Sequence, residues 1–471
     1  MIAAMGFTKE SSQLLLVLLV VLALFFLNIN VVYYTSHTMP LIGLAKALSQ
    51  GSFFLDPSYC QYVDVVLVNG KCIFAALPGL PLIIAPFLRV LGESEALATG
   101  GATVAFFGFL AVLSTWLFSK LFIQDEKKAL LCAVAVSLGG PLWIYSTHIF
   151  PQAPLAFTYT LLTYMAVKAL RRELRVLEYA AAGFIASLMV LLDPAMVTAI
   201  AALALIVLAK LVHDAWRGNE GSSRIITYAL LFALGATPLA LFLLLYNSAT
   251  TGNPLLFPEH LWLKRIGVPY PGFTTPIPLG LYILLVDLRK GLIPLYPVFA
   301  VALACIPKLL KAVKSSYEKV LYIAALLIPL ITHSAWYDVD GGLSFGPRFA
   351  VPVTTLLAPP LIYASESKRK AVRVATLLTV LYGVAVNTLT TTVTPYPSTL
   401  EDLKPWQNQF IHTVLPLLSN NTRSSYLYNI LRKMGEPVST VVAVAVNLTL
   451  SIAALVVLYS EKPCLRKSLQ S

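Results

Sequence analysis

The chain has 471 residues, of which 58% are hydrophobic and only 12% charged, against about 25% charged in soluble domains. That excludes a soluble protein of two or three domains. The formal charge of +12 is carried in short basic runs between apolar stretches, which excludes a nucleic-acid surface and points to membrane topology.

Twelve apolar stretches of spanning length stand between polar breaks, near 12–34, 96–123, 129–146, 152–170, 177–192, 195–212, 225–246, 290–306, 320–335, 349–364, 371–392 and 438–459. At ~20 residues each they use roughly half the chain, so much of the sequence lies outside the bilayer. Residues 13–34 read as an uncleaved first span, because Tyr33-Tyr34-Thr35-Ser36 follows where a small-residue cleavage pattern would stand. Of the 34 Lys and Arg residues, 22 fall on one side, around Lys127, Arg172, Lys311 and Arg369. With the acidic residues counted, that side carries all of the +12 and the other side none. The rule that short basic loops stay inside places both termini in the cytoplasm and the long loops 35–95, 247–289 and 393–437 outside, with the short loop 336–348; the plasma membrane is the expected location. Trp143, Trp262, Trp336 and Trp406 fall on or beside the outer face, as interfacial anchors would.

In the first outer loop, residues 37–50 place Leu41, Leu44, Ala45 and Leu48 at helical spacing, with Gly51 as a stop, and predict a short interfacial helix. Two β-branched runs flank Asn69-Gly70, a hairpin signal. The apolar run from Pro78 to Gly92, interrupted by Pro81 and Pro86, is too short to span and dips into the interface. Cys60 and Cys72 share this loop; a disulfide and two free buried thiols both fit their spacing. Cys464 falls in the cytoplasmic tail. The last outer loop carries the glycosylation pattern Asn420-Asn421-Thr422.

Six segments, in order, resemble the GT-C superfamily of integral membrane glycosyltransferases, in particular members related to protein O-mannosyltransferases and to the lipid A aminoarabinose transferase. They are GLAKALSQGSFFLD, DVVLVNGKCIFAALPGLPLIIAPFLRVLG, GPLWIYSTHIFPQAP, YNSATTGNP, LRKGLIPLYP and DGGLSFGPRFAVP, spread over residues 37–352. The resemblance implies an all-α polytopic fold, a GT-C-like bundle of about twelve transmembrane helices with an outer platform containing the short helix and the hairpin. Residues 1–365 form that domain, and 366–471 supply the C-terminal spans. It implies transfer of a sugar from a polyprenyl-phosphate carrier to a protein or lipid acceptor on the outer face, with inversion. In that chemistry a first-loop carboxylate takes the acceptor proton and cationic groups hold the departing phosphate. The family's Asp position falls on His37, and an imidazole can serve as a base near neutral pH; an interfacial histidine without a catalytic task is the other reading. Asp64, on the hairpin, is the next candidate.

Pro347 suits the first turn of the tenth span, and Arg348 follows it, where free N–H groups attract anions. Gly342 and Gly346, with Gly341, let the backbone fold closely around a phosphate. A guanidinium offers bidentate hydrogen bonds to such an oxyanion. Arg289 and Lys290, beside the eighth span, are further candidates for the same role. Asp338, Asp340 and His260 are weak candidates for a divalent metal. Glu259 and His260 read as a surface pair after the Gly-Asn-Pro turn. Two other classes stay open: a degenerate relative that binds lipid-linked sugar or an assembly partner, and a lipid or solute transporter. The transporter reading predicts charges buried along a pathway, and apart from Asp193 the spans lack them.

Overall fold

The computed structural model describes residues 9–30, 37–218, 222–269, 271–393, 400–418 and 425–459; the Asn420-Asn421-Thr422 pattern and Cys464 lie outside them. Helices stand at all twelve positions expected from hydropathy. Five of them, Glu93–Lys120, Pro194–Trp216, Ser223–Thr251, Lys370–Thr392 and Val438–Tyr459, are each long and apolar enough to cross a membrane unaided. The chain is a multi-pass, all-α membrane protein. Leu230, Leu234 and Leu241 project outward from Ser222–Thr251, as a lipid-facing side requires.

Proline and glycine break three of the expected spans. The third is Glu126–Leu138 followed by Leu142–Tyr145, interrupted at Gly139-Gly140-Pro141. The eighth is Leu292–Leu295 and Val298–Ala312, divided beside Pro297. The tenth is a series of short turns, Arg348–Ala350, Val351–Thr354, Thr355–Leu357 and Ala358–Ser365. Each proline removes an N–H and crowds the preceding turn, so the helix restarts. Trp143 belongs to this broken region and is fully buried, so it is a core residue and no interfacial anchor.

Helix pairs run across the core: Ala96–Lys120 against Gln152–Leu170, Ser222–Thr251 against Glu178–Leu192, and Val197–Trp216 against Ser316–Ser334. The helices Lys9–Leu27 and Val438–Tyr459 also pack together. Beside them the amides of Asn28 and Asn447 bond each other reciprocally at 2.8 Å, satisfying polar groups that lipid could not. At one end of the bundle, ion pairs tie the basic turns together. Lys128 reaches Glu366, Arg171 reaches Glu318 at 2.8 Å, and Arg172 reaches Asp214 at 2.8 Å.

The other end carries the platform. The interfacial helix forms at Thr38–Ser49, burying Leu41, Leu44, Ala45 and Ala47. The hairpin pairs Val65–Val68 with Lys71–Phe74, and its two turn residues, Asn69 and Gly70, take φ of 50° and 76°, the sign a two-residue turn demands. Cys60 and Cys72 are joined in a disulfide that pins the hairpin to the preceding turn. The Pro-Gly run is a continuous helix, Gly79–Leu91, in spite of Pro86. It buries Leu80, Ile84 and Leu88 and turns Phe87, Val90 and Leu91 outward.

Candidate active site

His37 is fixed by the start of the interfacial helix, its carbonyl accepting from Leu41 N at 3.2 Å. Asp64 is fixed by the root of the hairpin, where its carbonyl accepts from Ala75 N at 2.9 Å. The two side chains meet: His37 Nδ1 lies 3.1 Å from Asp64 Oδ2. The imidazole also stacks on Phe150, 7° from parallel. Burial pushes the Asp64 carboxyl up, but the bond and charge of His37, with Arg348 beyond, hold it below its ordinary value. An ionised carboxylate on Nδ1 fixes the tautomer and leaves Nε2 free to take a proton.

Arg348 faces the same space. It opens a tight turn after a loop in which Gly341, Gly342 and Gly346 have φ of 76°, 55° and 64°, values open to glycine and strained for other residues. A Cβ at Gly341 would come within 2.8 Å of Arg348 Nε. The guanidinium lies over the Phe349 ring, 4.7 Å from its centroid. Its Nη2 is 3.6 Å from Asp338 Oδ2, and its buried Nε has no hydrogen-bond partner among the described residues. Asp338 is pushed up to about 7, first by burial and then by the adjacent Asp340, against the pull of Arg348. Asp340 is held low, against burial, by Lys290 and by the amides of Leu400 and Gly342. Of this pair Asp338 keeps its proton to the higher pH, which weakens its neutralisation of Arg348.

Two connected chambers result. The smaller, about 240 Å³, is lined by His37, Asp64, Trp262, Trp336, Asp338 and Arg348. The larger, about 340 Å³, is mostly apolar, with Leu41, Phe74, Leu80, Phe257 and Phe273 in its walls. His37, Phe150, Glu259, Trp336 and Arg348 border both. Asp193 and His333, 2.7 Å apart, border the larger chamber, and His333 packs on Phe349. Asp193 also accepts from Ala195 N at 3.0 Å, so it is both a local cap and half of a pair across 140 residues.

Arg289 and Lys290 do not line either chamber. Arg289 is held by Asp287 at 2.6 Å, and the buried Lys290 donates to Gly342 O at 2.7 Å and braces the glycine loop from behind. Gly346 likewise shapes the loop: its N–H donates to Gln409 Oε1 at 2.8 Å, and Gln409 Nε2 donates to Ser344 O at 3.1 Å. Leu400 N donates to Asp340 at 3.0 Å. The segment 400–409 thus ties the Arg348 loop down. His260 borders the larger chamber while Asp338 borders the smaller, and among the described residues no group of three or more His, Cys, Asp or Glu stands close enough to hold a metal ion.

Glu259, read from the sequence as a surface residue, is half-buried. It lies in the short helix Pro258–Arg265 and turns into the cavity. Hydropathy gives no sign of which way so short a helix faces; the sole clue is Trp262, three residues on and therefore on the same side.

No family model and no curated protein matches this sequence. Solved structures do. ArnT from Cupriavidus metallidurans bound to undecaprenyl phosphate matches with a TM-score of 0.57 and 12% identity, over 94% of this chain and 76% of that one. The same protein in the apo state matches with a TM-score of 0.53 and 12% identity, over 96% and 77%. The chain has a GT-C-like fold, the one these two structures share. At 12% identity the likeness is one of fold alone, so the chemistry has to be argued from this chain's own residues.

Proposed function

We propose that this protein transfers a sugar from a polyprenyl-phosphate carrier to an acceptor at the outer face of the plasma membrane, with both termini in the cytoplasm. The observation that carries the reading is the position of Arg348 at the junction of an apolar chamber and a polar one, facing the His37–Asp64 pair. A carrier has the matching pattern: an isoprenoid chain, a phosphate, and a sugar. The chain suits the larger chamber, the phosphate Arg348, and the sugar the smaller chamber. That ArnT binds undecaprenyl phosphate in the same fold supports it.

The step that follows is a displacement. The acceptor oxygen attacks the anomeric carbon from the face opposite the phosphate, a C–O bond forms, and the bond from that carbon to the phosphate oxygen breaks. The electron pair leaves with the phosphate, where Arg348 holds the extra charge. The acceptor proton passes to His37 Nε2, and Asp64 stabilises the imidazolium through Nδ1. His37 with Asp64 does the work that the family assigns to one carboxylate. Lys290, Gly342 and Gly346 keep the phosphate loop in shape, and Arg289 steadies it through Asp287 and Leu400.

The test is turnover of purified protein in lipid nanodiscs, given undecaprenyl-phosphate mannose or glucose with peptide and lipid acceptors, with and without divalent metals. His37→Ala should abolish transfer, and His37→Asp should restore part of it. Full turnover in both His37→Ala and Asp64→Ala would remove the proposed base. Binding of the carrier with no transfer to any acceptor would favour a degenerate, non-catalytic protein.

A further inference from the structure

Glu259 is a carboxylate without an obvious occupation. Among the described residues it makes no hydrogen bond and no ion pair, although its neighbours His37, Asp64, Arg348 and Asp193 are all partnered. Burial first, and then the charges of Asp193 and Asp64, push it up to about 7 against the pull of Arg348. Half-buried in the wall of both chambers, its carboxylate is open to a ligand that donates hydrogen bonds to it. The carrier's phosphate is not that ligand, since an anion is repelled there and attracted to Arg348. The isoprenoid chain has nothing to donate. What is left is the sugar.

The rest of the smaller chamber fits a sugar too. Trp262 and Trp336 line it, and the indole of Trp262 is fixed by its N–H donating to Val63 O at 3.1 Å. Trp336 is steadied edge-on against Phe273, centroids 5.4 Å apart. Pyranoses present C–H faces that pack on such rings and hydroxyls that need acceptors at the rim. We infer that Glu259 is a specificity-determining residue, its carboxylate accepting hydrogen bonds from hydroxyls of the carrier-linked hexose held in the chamber of Trp262 and Trp336. The inference rests on the transferase reading above, and adds to it which residue reads the sugar.

Binding to nanodisc-held full-length protein tests it without requiring turnover. The probes are undecaprenyl phosphate, undecaprenyl-phosphate mannose and undecaprenyl-phosphate glucose. Wild type should bind at least one hexose carrier about tenfold or more tightly than the bare carrier. Glu259→Ala should erase that preference and change affinity for the bare carrier less than twofold. Glu259→Gln, close in shape and keeping one acceptor oxygen, should retain an intermediate preference, which guards against misfolding as the cause. Arg348→Ala should weaken all three probes together. Wild type that binds none of the three overturns the transferase reading and this inference with it. Wild type that binds all three equally, or a Glu259→Ala variant that keeps the preference, overturns the sugar-reading role alone.

Discussion

Around Arg348 the charges are set so that the guanidinium has one partner too few. Asp338 stands at 3.6 Å, beyond the usual length of a charge-assisted hydrogen bond, and is pushed up to about 7, so it is only partly ionised near neutral pH. Arg348→Lys keeps the charge but loses the planar fork and the stacking on Phe349, so kcat/KM should fall about a hundredfold with little change in thermal midpoint. A drop in midpoint that matched the loss of activity would make Arg348 a structural residue. Glu259 gives a pH prediction. Its folded value of about 7 exceeds the ordinary 4.5, so its burial costs nothing below pH 4, costs more as pH rises through that interval, and costs most above 7. Glu259→Gln should therefore melt with wild type at pH 4 and above it at pH 8. In the same range wild type's preference for the hexose carrier should rise with pH more steeply than the Gln variant's, as the carboxylate becomes the stronger acceptor. Asp64, Asp193, Asp338, His37, His260, His333 and Arg348 face the same space and are common to both proteins, and Asp338 titrates in the same range, so it is the difference between the two pH profiles that reads Glu259.

At the scale of elements, the interfacial helix, the Asn69-Gly70 hairpin and the glycine loop before Arg348 were legible because each is written in local signals: apolar spacing, a dipeptide that takes positive φ, and closely spaced glycines where the chain turns through positive φ. Pairings across long stretches were not. Asp193 shows as a residue before a proline, and nothing near it points to His333; Glu259 shows as a polar residue after a turn; Arg289 and Lys290 show as cations near the outer face, with no sign that Asp287 and Gly342 occupy them. The disulfide could not be decided from spacing, and its place now gives it a role. It fixes the hairpin whose root carries Asp64. Closing a loop over a separation of 12 residues is worth about 2–3 kcal/mol by loop entropy. The double change Cys60→Ser and Cys72→Ser should lower the thermal midpoint and lower turnover through loosened His37–Asp64 contact. Undiminished turnover would show that helix packing alone holds the hairpin. Gly341→Ala combines backbone strain with a clash at Arg348 Nε, and should cost carrier binding about tenfold or more, read by the same nanodisc assay.

Over the whole molecule, the charge division and the fold agree in placing the basic turns at one end and the platform at the other. Single cysteines introduced at Arg172 and Arg369 should both resist an impermeant thiol reagent added outside intact cells, while one at Leu67 of the hairpin should react. Labelling at 369 with protection at 67 would invert the topology. The residues of the cavity come from 37, 64, 259 and 348, but the loop that presents Arg348 is held from behind by Gln409 and Leu400. During synthesis the earlier pieces enter the membrane long before that brace exists. A chain made only as far as its eleventh span therefore has most of its membrane helices but none of the ties from 400–409 that hold the Arg348 loop.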